Sequence, residues 1–165
     1  METLLEPITN IILFDHNYTQ IVSLSLYVSF IATILSAIFS IIISSYIASN
    51  QFYGKSLIII IVNTLMSLPP VVVGLILYLI FSASGVLGFM DLLYSPTIMI
   101  IAQFIIVTPI IISLATKILS NNYDLLKEYL LSINASGLII RQTIIFESRF
   151  SLLIVIITGL SRALS

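Results

Sequence analysis

The sequence predicts an all-α, polytopic membrane protein. Of its 165 residues, 59% are hydrophobic and 8% charged, and the mean hydropathy is +1.22. A soluble domain carries about a quarter charged residues. Three apolar runs, 21–48, 57–81 and 97–119, each exceed the roughly 20 residues that cross a hydrocarbon core about 30 Å thick. Basic residues fall in alternate connections between the runs and are absent from the others.

The same composition excludes several function classes. Cysteine is absent, so there is neither a disulfide framework nor a thiolate metal site. His16 is the sole histidine and adjoins Asp15, where it reads as solvated rather than as a ligand. Glu2, Glu6 and Asp15 replace the basic start of a cleavable signal. Nothing is basic enough to bind nucleic acid. A membrane-embedded enzyme needs intramembrane Asp, Glu, His or Cys, and the complete runs hold none. No catalytic residue and no metal site are therefore expected.

In the first run, Ser25, Ser29, Thr33, Ser36, Ser40 and Ser44 recur at helical spacing and fall within roughly a 100° arc. Such a face allows close helix packing with hydrogen bonds across the contact, or lines a hydrophilic pathway. In the second run, Leu68-Pro69-Pro70 followed by Gly74 removes two backbone donors in succession. Broken backbone at membrane depth survives only under cover of protein or in a water-filled cavity, so Pro69, Pro70 and Gly74 are candidates for a static kink or a gate. Pro109 in the third run is expected to break its helix in the same way. The connection 82–96 contains Ser84-Gly85-Val86-Leu87-Gly88 and is rich in turn formers. A fourth run opens at Phe150 and continues to Ser165, too short at about 1.5 Å per residue to cross a bilayer. The expectation is three full spans and the start of a fourth (150–165), in a chain cut inside a span.

Lys55, Lys117, Lys127, Arg141 and Arg149 lie in or beside alternate connections, and the N-terminal segment and 82–96 carry no basic residue. The positive-inside rule puts the N-terminus outside and the 120–149 loop in the cytoplasm. Arg162 stands apart, 12 residues beyond Phe150 and so within the bilayer. A guanidinium there costs about 2.5–3.5 kcal/mol or more unless it is paired or faces water. It either pairs with a carboxylate or lines a pathway and attracts an anion.

The 120–149 loop is the structured charge-bearing insert. Asn121 and Asn122 read as N-caps and Asp124 as a first-turn anion. Leu126, Tyr129, Leu130 and Ile133 follow the spacing of one apolar face, and Gly137 reads as the C-cap of a helix of about four turns. A second helix is expected from Leu138 to Phe146. An amphipathic segment of this kind anchors at the lipid interface, packs on its own spans, or docks in a partner's groove.

The stretch Glu128-Tyr129-Leu130-Leu131-Ser132-Ile133-Asn134-Ala135-Ser136 resembles the cytoplasmic loop motif of ABC-importer permeases, which opens Glu-Ala-Ala and has Gly six residues after the Glu. Glu128, Ala135, Ser136 and Ile144 match the motif. Tyr129 and Leu130 replace its alanines, Asn134 its Gly and Glu147 its Pro. Asn134 for Gly is a mild change, because Asn tolerates the left-handed conformation. Asn63-Thr64-Leu65-Met66-Ser67-Leu68-Pro69-Pro70-Val71-Val72-Val73-Gly74-Leu75 resembles the second-span signature of the tungstate permeases and their molybdate relatives. Ser84 to Gly88, Ile101-Ala102-Gln103, Thr108-Pro109-Ile110 and Gly159-Leu160-Ser161-Arg162-Ala163-Leu164-Ser165 resemble the segments that follow, so the likeness covers roughly residues 20–165.

The resemblance implies a type I ABC importer permease of a bacterial or archaeal plasma membrane. Such a subunit is a multi-pass homodimer surrounded by lipid. It moves an oxyanion, tungstate first, delivered by an extracytoplasmic binding protein. ATP and magnesium are bound by a separate cytoplasmic ATPase, and this chain has no phosphate-binding loop and no cofactor. Glu128, Tyr129, Ser132, Asn134, Ala135, Ser136 and Gly137 would couple to that ATPase. Pro69, Pro70, Gly74, Pro109 and Arg162 would shape or gate the pathway, and Arg162 would pair with a Glu in the family's continuation. Two other readings stay open: a permease for molybdate, sulfate or another small solute, and an accessory membrane subunit.

Overall fold

The computed structural model describes residues 16–165, so Glu2, Glu6 and Asp15 lie outside the described part. Its helices are α1 (His16–Ser49), α2 (Lys55–Leu65), α3 (Pro70–Phe81), α4 (Pro96–Ser132), α5 (Gly137–Glu147) and α6 (Arg149–Leu164), with a 3₁₀ turn at Gly88–Met90. Two segments, Tyr18–Ser49 of α1 and Pro96–Leu130 of α4, are each long and apolar enough to cross a membrane alone. The pairs α2–α3 and α5–α6 reach that length together, bent by 92° and 70°.

The centre is the α1–α4 contact. Ala32, Ser36, Ser40, Ser44 and Ala48 recur every four residues on α1, and all are buried. Small side chains let two backbones approach closely. Ser36, Ser40 and Ser44 donate to the carbonyl oxygens of Phe104, Thr108 and Ile112 at 3.4, 3.2 and 3.2 Å, each across 68 residues. The constant offset means the helices run parallel and in register. The hydroxyl face therefore packs. Of its six members only Ser25 stays exposed. Val107, Ile111, Ala115 and Leu119 of α4 complete the core with Leu152 and Val155 of α6. Against the first turns of α4, α3 buries Val73, Leu77 and Phe81.

The Pro69-Pro70 break is real and sharp. Pro69 is extended (φ −66°, ψ 132°) and Pro70 opens α3, a position where a missing N–H costs nothing. Pro109 departs from expectation, because α4 runs through it as one helix of 37 residues. Hydroxyls cover the nearby carbonyls. Phe104 O accepts from Thr108 Oγ1 at 2.6 Å and from Ser36, and Thr108 O accepts from Ser40. Neither is the carbonyl that Pro109 leaves without its donor, which is that of Ile105, so the continuity of α4 rests on packing: Val107, Ile110 and Ile111 on either side are buried.

A second correction concerns 120–149. No helix begins at Asn121 or Asn122, and Asp124 is not in a first turn, because α4 continues without a break to Ser132. Capping residues favour a start but do not force one. Asn inside a helix costs at most about 0.7 kcal/mol relative to Ala, and the apolar stripe through Tyr123, Leu126 and Leu130 carries the helix on. Gly137 is likewise not a C-cap: it is the first residue of α5, behind Ser136. The helix expected from Leu138 to Phe146 is present as α5.

Candidate functional site

The corner between α4 and α5 gathers the residues singled out for coupling. Asn134 has φ +51°, and the amide of Ala135 reaches back to Leu130 O at 3.1 Å. That is a helix stop with a left-handed residue just past the end, the conformation Asn adopts more readily than most residues. Ser132 Oγ donates to Tyr129 O at 2.7 Å, which tightens the last turn. Ser136 is extended (φ −67°, ψ 154°), and its carbonyl accepts the amide of Ile140 at 3.0 Å to start α5. Glu128, Tyr129, Ser132, Asn134, Ser136 and Gly137 are exposed and Ala135 is half-buried. Of the expected apolar stripe, Leu130 turns inward, whereas Tyr129 and Ile133 face out at 66% and 55% exposure. Leu125, Leu138 and Ile139 extend the exposed apolar surface on both sides of the turn.

The corner is fixed to the bundle. Asn122 Nδ2 donates to the buried Ser148 Oγ at 2.6 Å, pinning α4 to the α5–α6 junction. Arg141 of α5 donates from Nε to Ser49 Oγ at 3.3 Å and lies 4.9 Å from the centre of the Tyr46 ring, both at the end of α1. A force on the corner is therefore transmitted to α1, α4 and α6 together.

The pathway candidates are spread over three elements. Pro69, Pro70 and Gly74 belong to the α2–α3 turn and α3, and Gly74 is exposed. Pro109 is half-buried within α4, and Arg162 is exposed on the last turn of α6. Next to Arg162, Gln103 Nε2 donates to Ala163 O at 3.0 Å and to Ser29 Oγ at 3.2 Å, joining α4, α6 and α1. Gln103 Oε1 is buried and has no hydrogen-bond partner among the described residues. Sequence reasoning took Asn122 for an N-cap, named Gln103 only within a family-like tripeptide, and passed over Ser148. The signal was there in Gln103, a lone amide inside an apolar run. Among the described residues no group of three His, Cys, Asp or Glu could hold a metal ion. The arrangement offers a docking surface and hydrogen-bonded joints rather than an acid–base pair.

No protein-family model matches the chain. It is 33% identical over 154 residues to a probable anion ABC transporter permease protein of Haloferax volcanii, covering 92% of this chain and 66% of that one. It is 36% identical over 152 residues to the tungstate uptake system permease protein TupB of Peptoclostridium acidaminophilum, covering 92% and 67%. To the TupB of Campylobacter jejuni it is 39% identical over 114 residues, covering 68% and 47%. The chain thus spans at most about two thirds of the length of these relatives. Its long apolar helices and these alignments together show a multi-pass membrane protein that belongs to the family of ABC transporter permeases, alongside the anion and tungstate uptake permeases.

Proposed function

We propose that this chain is the membrane-spanning part of an oxyanion importer, with tungstate as first cargo, and that it performs no catalysis itself. The observation that carries the reading is the exposed, apolar-edged corner from Glu128 to Gly137, tied by hydrogen bonds to α1 and to the start of α6. It matches what a permease needs to receive motion from a separate ATPase. The names of the anion and tungstate relatives support the cargo.

In this reading ATP and its magnesium sit in the cytoplasmic ATPase, whose closure pushes on Tyr129, Ile133, Ala135 and Leu138. The push runs along α4, a rod of 37 residues and about 55 Å. It carries α1 along through the Ser36, Ser40 and Ser44 bonds. The α2–α3 segment is freer to lag, because its 92° turn separates it from that block. Two copies related by symmetry would open and close a pathway between them. An extracytoplasmic binding protein would deliver the anion, and the N-terminus would lie on that side.

The test is ATP hydrolysis by the full transporter, reconstituted with its binding protein. Tungstate at micromolar concentration is expected to stimulate hydrolysis more than sulfate or phosphate does. Equal or inverted responses reject tungstate as the cargo.

A further inference from the structure

The connection 82–95, at the opposite end of the bundle from Lys117, turns its largest apolar side chains outward. Val86, Phe89 and Tyr94 are 86%, 82% and 84% exposed, and Met90 is 48% exposed. Leu87, Leu92 and Leu93 instead pack against the Val73, Leu77 and Phe81 cluster of α3. The connection has an inner apolar face that is covered and an outer one that is not.

The backbone holds that outer face in place. Tyr94 has φ +67° and Asp91 φ +48°. An aromatic residue takes the left-handed region only where its surroundings require it. Here the Ser95 amide and hydroxyl both donate to Leu92 O, at 3.1 and 2.6 Å, and close a turn around Tyr94. At the other end the Leu87 amide donates to Ile80 O at 2.9 Å, and a Cβ on Gly88 would collide with the Ser82 carbonyl. The chain therefore lies tight on the end of α3.

The register of α1 on α4 gives the level of this face. The offset of 68 sets Val28 beside Pro96, the first residue of α4. Residues 21–27 of α1 therefore project about 10 Å past the start of α4, at 1.5 Å per residue. Ile21, Val22, Leu26 and Tyr27 in that stretch are all more than half exposed, as are Leu75 and Leu79 on α3. These are flanks of membrane-crossing segments, where lipid is the surrounding solvent, and the outer face of 82–95 continues them. Irregular backbone cannot face the hydrocarbon itself, and Asp91 is charged, so the depth is that of the headgroups and not below. Tyrosine concentrates at this level, with its ring in the acyl boundary and its hydroxyl among the headgroups.

We infer that the 82–95 connection is a membrane-interface anchor: Val86, Phe89, Met90 and Tyr94 insert at the headgroup–acyl boundary and hold the joined ends of α3 and α4 at one depth. A lipid surface fits this face better than a soluble protein does, because the four side chains are uncharged and continue the lipid-facing flanks of α1 and α3. The connection carries Asp91 and no basic residue, so it has no call for anionic lipid. The anchor requires neither a particular cargo nor a particular leaflet.

The chain contains no tryptophan, so Phe89→Trp and Tyr94→Trp report on the connection as a difference from the parent protein. Each variant of the full-length permease, with its ATPase, is placed in phosphatidylcholine nanodiscs made with plain lipid or with lipid brominated on the acyl chain near the glycerol. Aqueous iodide and then the extracytoplasmic binding protein are added. The tryptophan emission is expected to fall about twofold or more in brominated lipid, as a ring at the acyl boundary should, and to respond little to iodide. Leu79→Trp, on the exposed face of α3, serves as the lipid-facing reference, and Met90→Trp carries the same readout should the two aromatic variants fail to assemble. Emission from the connection that iodide quenches and brominated lipid does not, while the Leu79→Trp signal is quenched by the lipid, overturns the anchor. Shielding from iodide that appears only with the binding protein also overturns it, and assigns the face to that protein.

Discussion

A methyl group added at Gly159 has nowhere to go. It would lie 2.9 Å from Cδ1 of Ile111 and 3.1 Å from Cγ1 of Val107, both buried in the centre of α4. Gly159 thus packs directly on the core of α4, and a much larger side chain must force the two helices apart. Gly74 is the contrast, since a Cβ there meets nothing within 4 Å. Gly159→Leu is expected to destabilise the protein by about 1–3 kcal/mol, the usual cost of overpacking. Gly74→Ala should change stability by less than about 1 kcal/mol and with either sign, because the lost freedom of the unfolded chain offsets little else. Thermal unfolding of the full-length protein in nanodiscs measures both. Equal shifts for the two variants would mean that the α4–α6 contact does not hold in the membrane. The distinction was not readable from residue type: both glycines sit in apolar runs, and only the partner surface separates them.

Among the elements, the α4–α5 corner puts a specific demand on any partner. Ala135 is half-buried beside the Asn134 turn, with exposed Tyr129, Ile133 and Leu138 around it. A surface that covers those side chains must also approach Ala135 closely. Ala135→Glu would place a charge without a counter-ion in that contact, and burying an unpaired charge is strongly unfavourable. The expected outcome is normal membrane insertion with at least about tenfold weaker co-purification of the ATPase subunit. Normal association together with normal uptake in that variant would reject docking through this face. The corner also shows what pattern reasoning can reach. The left-handed tolerance of Asn134 was legible, although the stop itself was expected at Gly137, and so was the Pro69-Pro70 break, because proline removes donors whatever surrounds it. The start of the expected loop helix was not. Asn121 and Asn122 look like caps, yet one of them is used sideways, with Asn122 bonded to Ser148 across 26 residues. Local sequence does not encode that partner. Pro109 failed for the same reason, since the packing that carries α4 through it comes from α1 and α6, both distant in sequence.

At the scale of the whole molecule, the packing fixes which charges share an end. The 68-residue register of α1 on α4 sets Ser49 level with Lys117. Arg141 binds Ser49, Arg149 follows the Ser148 pin to α4, and the Lys55 ammonium donates to Asn50 O at 3.1 Å. Lys55, Lys117, Arg141 and Arg149 therefore cluster at one end of the bundle, and Lys127 lies further along α4 in the same direction. The opposite end carries the 82–95 connection, with Asp91 and no basic residue. Loop lysines and arginines resist translocation, whereas acidic residues contribute little to orientation. The end whose connections and flanks carry five basic residues, against connections with none at the other, is thus expected to face the cytoplasm. Single cysteines at positions 55, 91 and 127, in the full-length protein and a chain that has no native cysteine, read this out directly. An impermeant thiol reagent applied to intact cells should label position 91 alone, and positions 55 and 127 should react only after the membrane is opened. Labelling of 127 from outside would invert the orientation. It would also remove the corner from the side where ATP is available, and the coupling role with it.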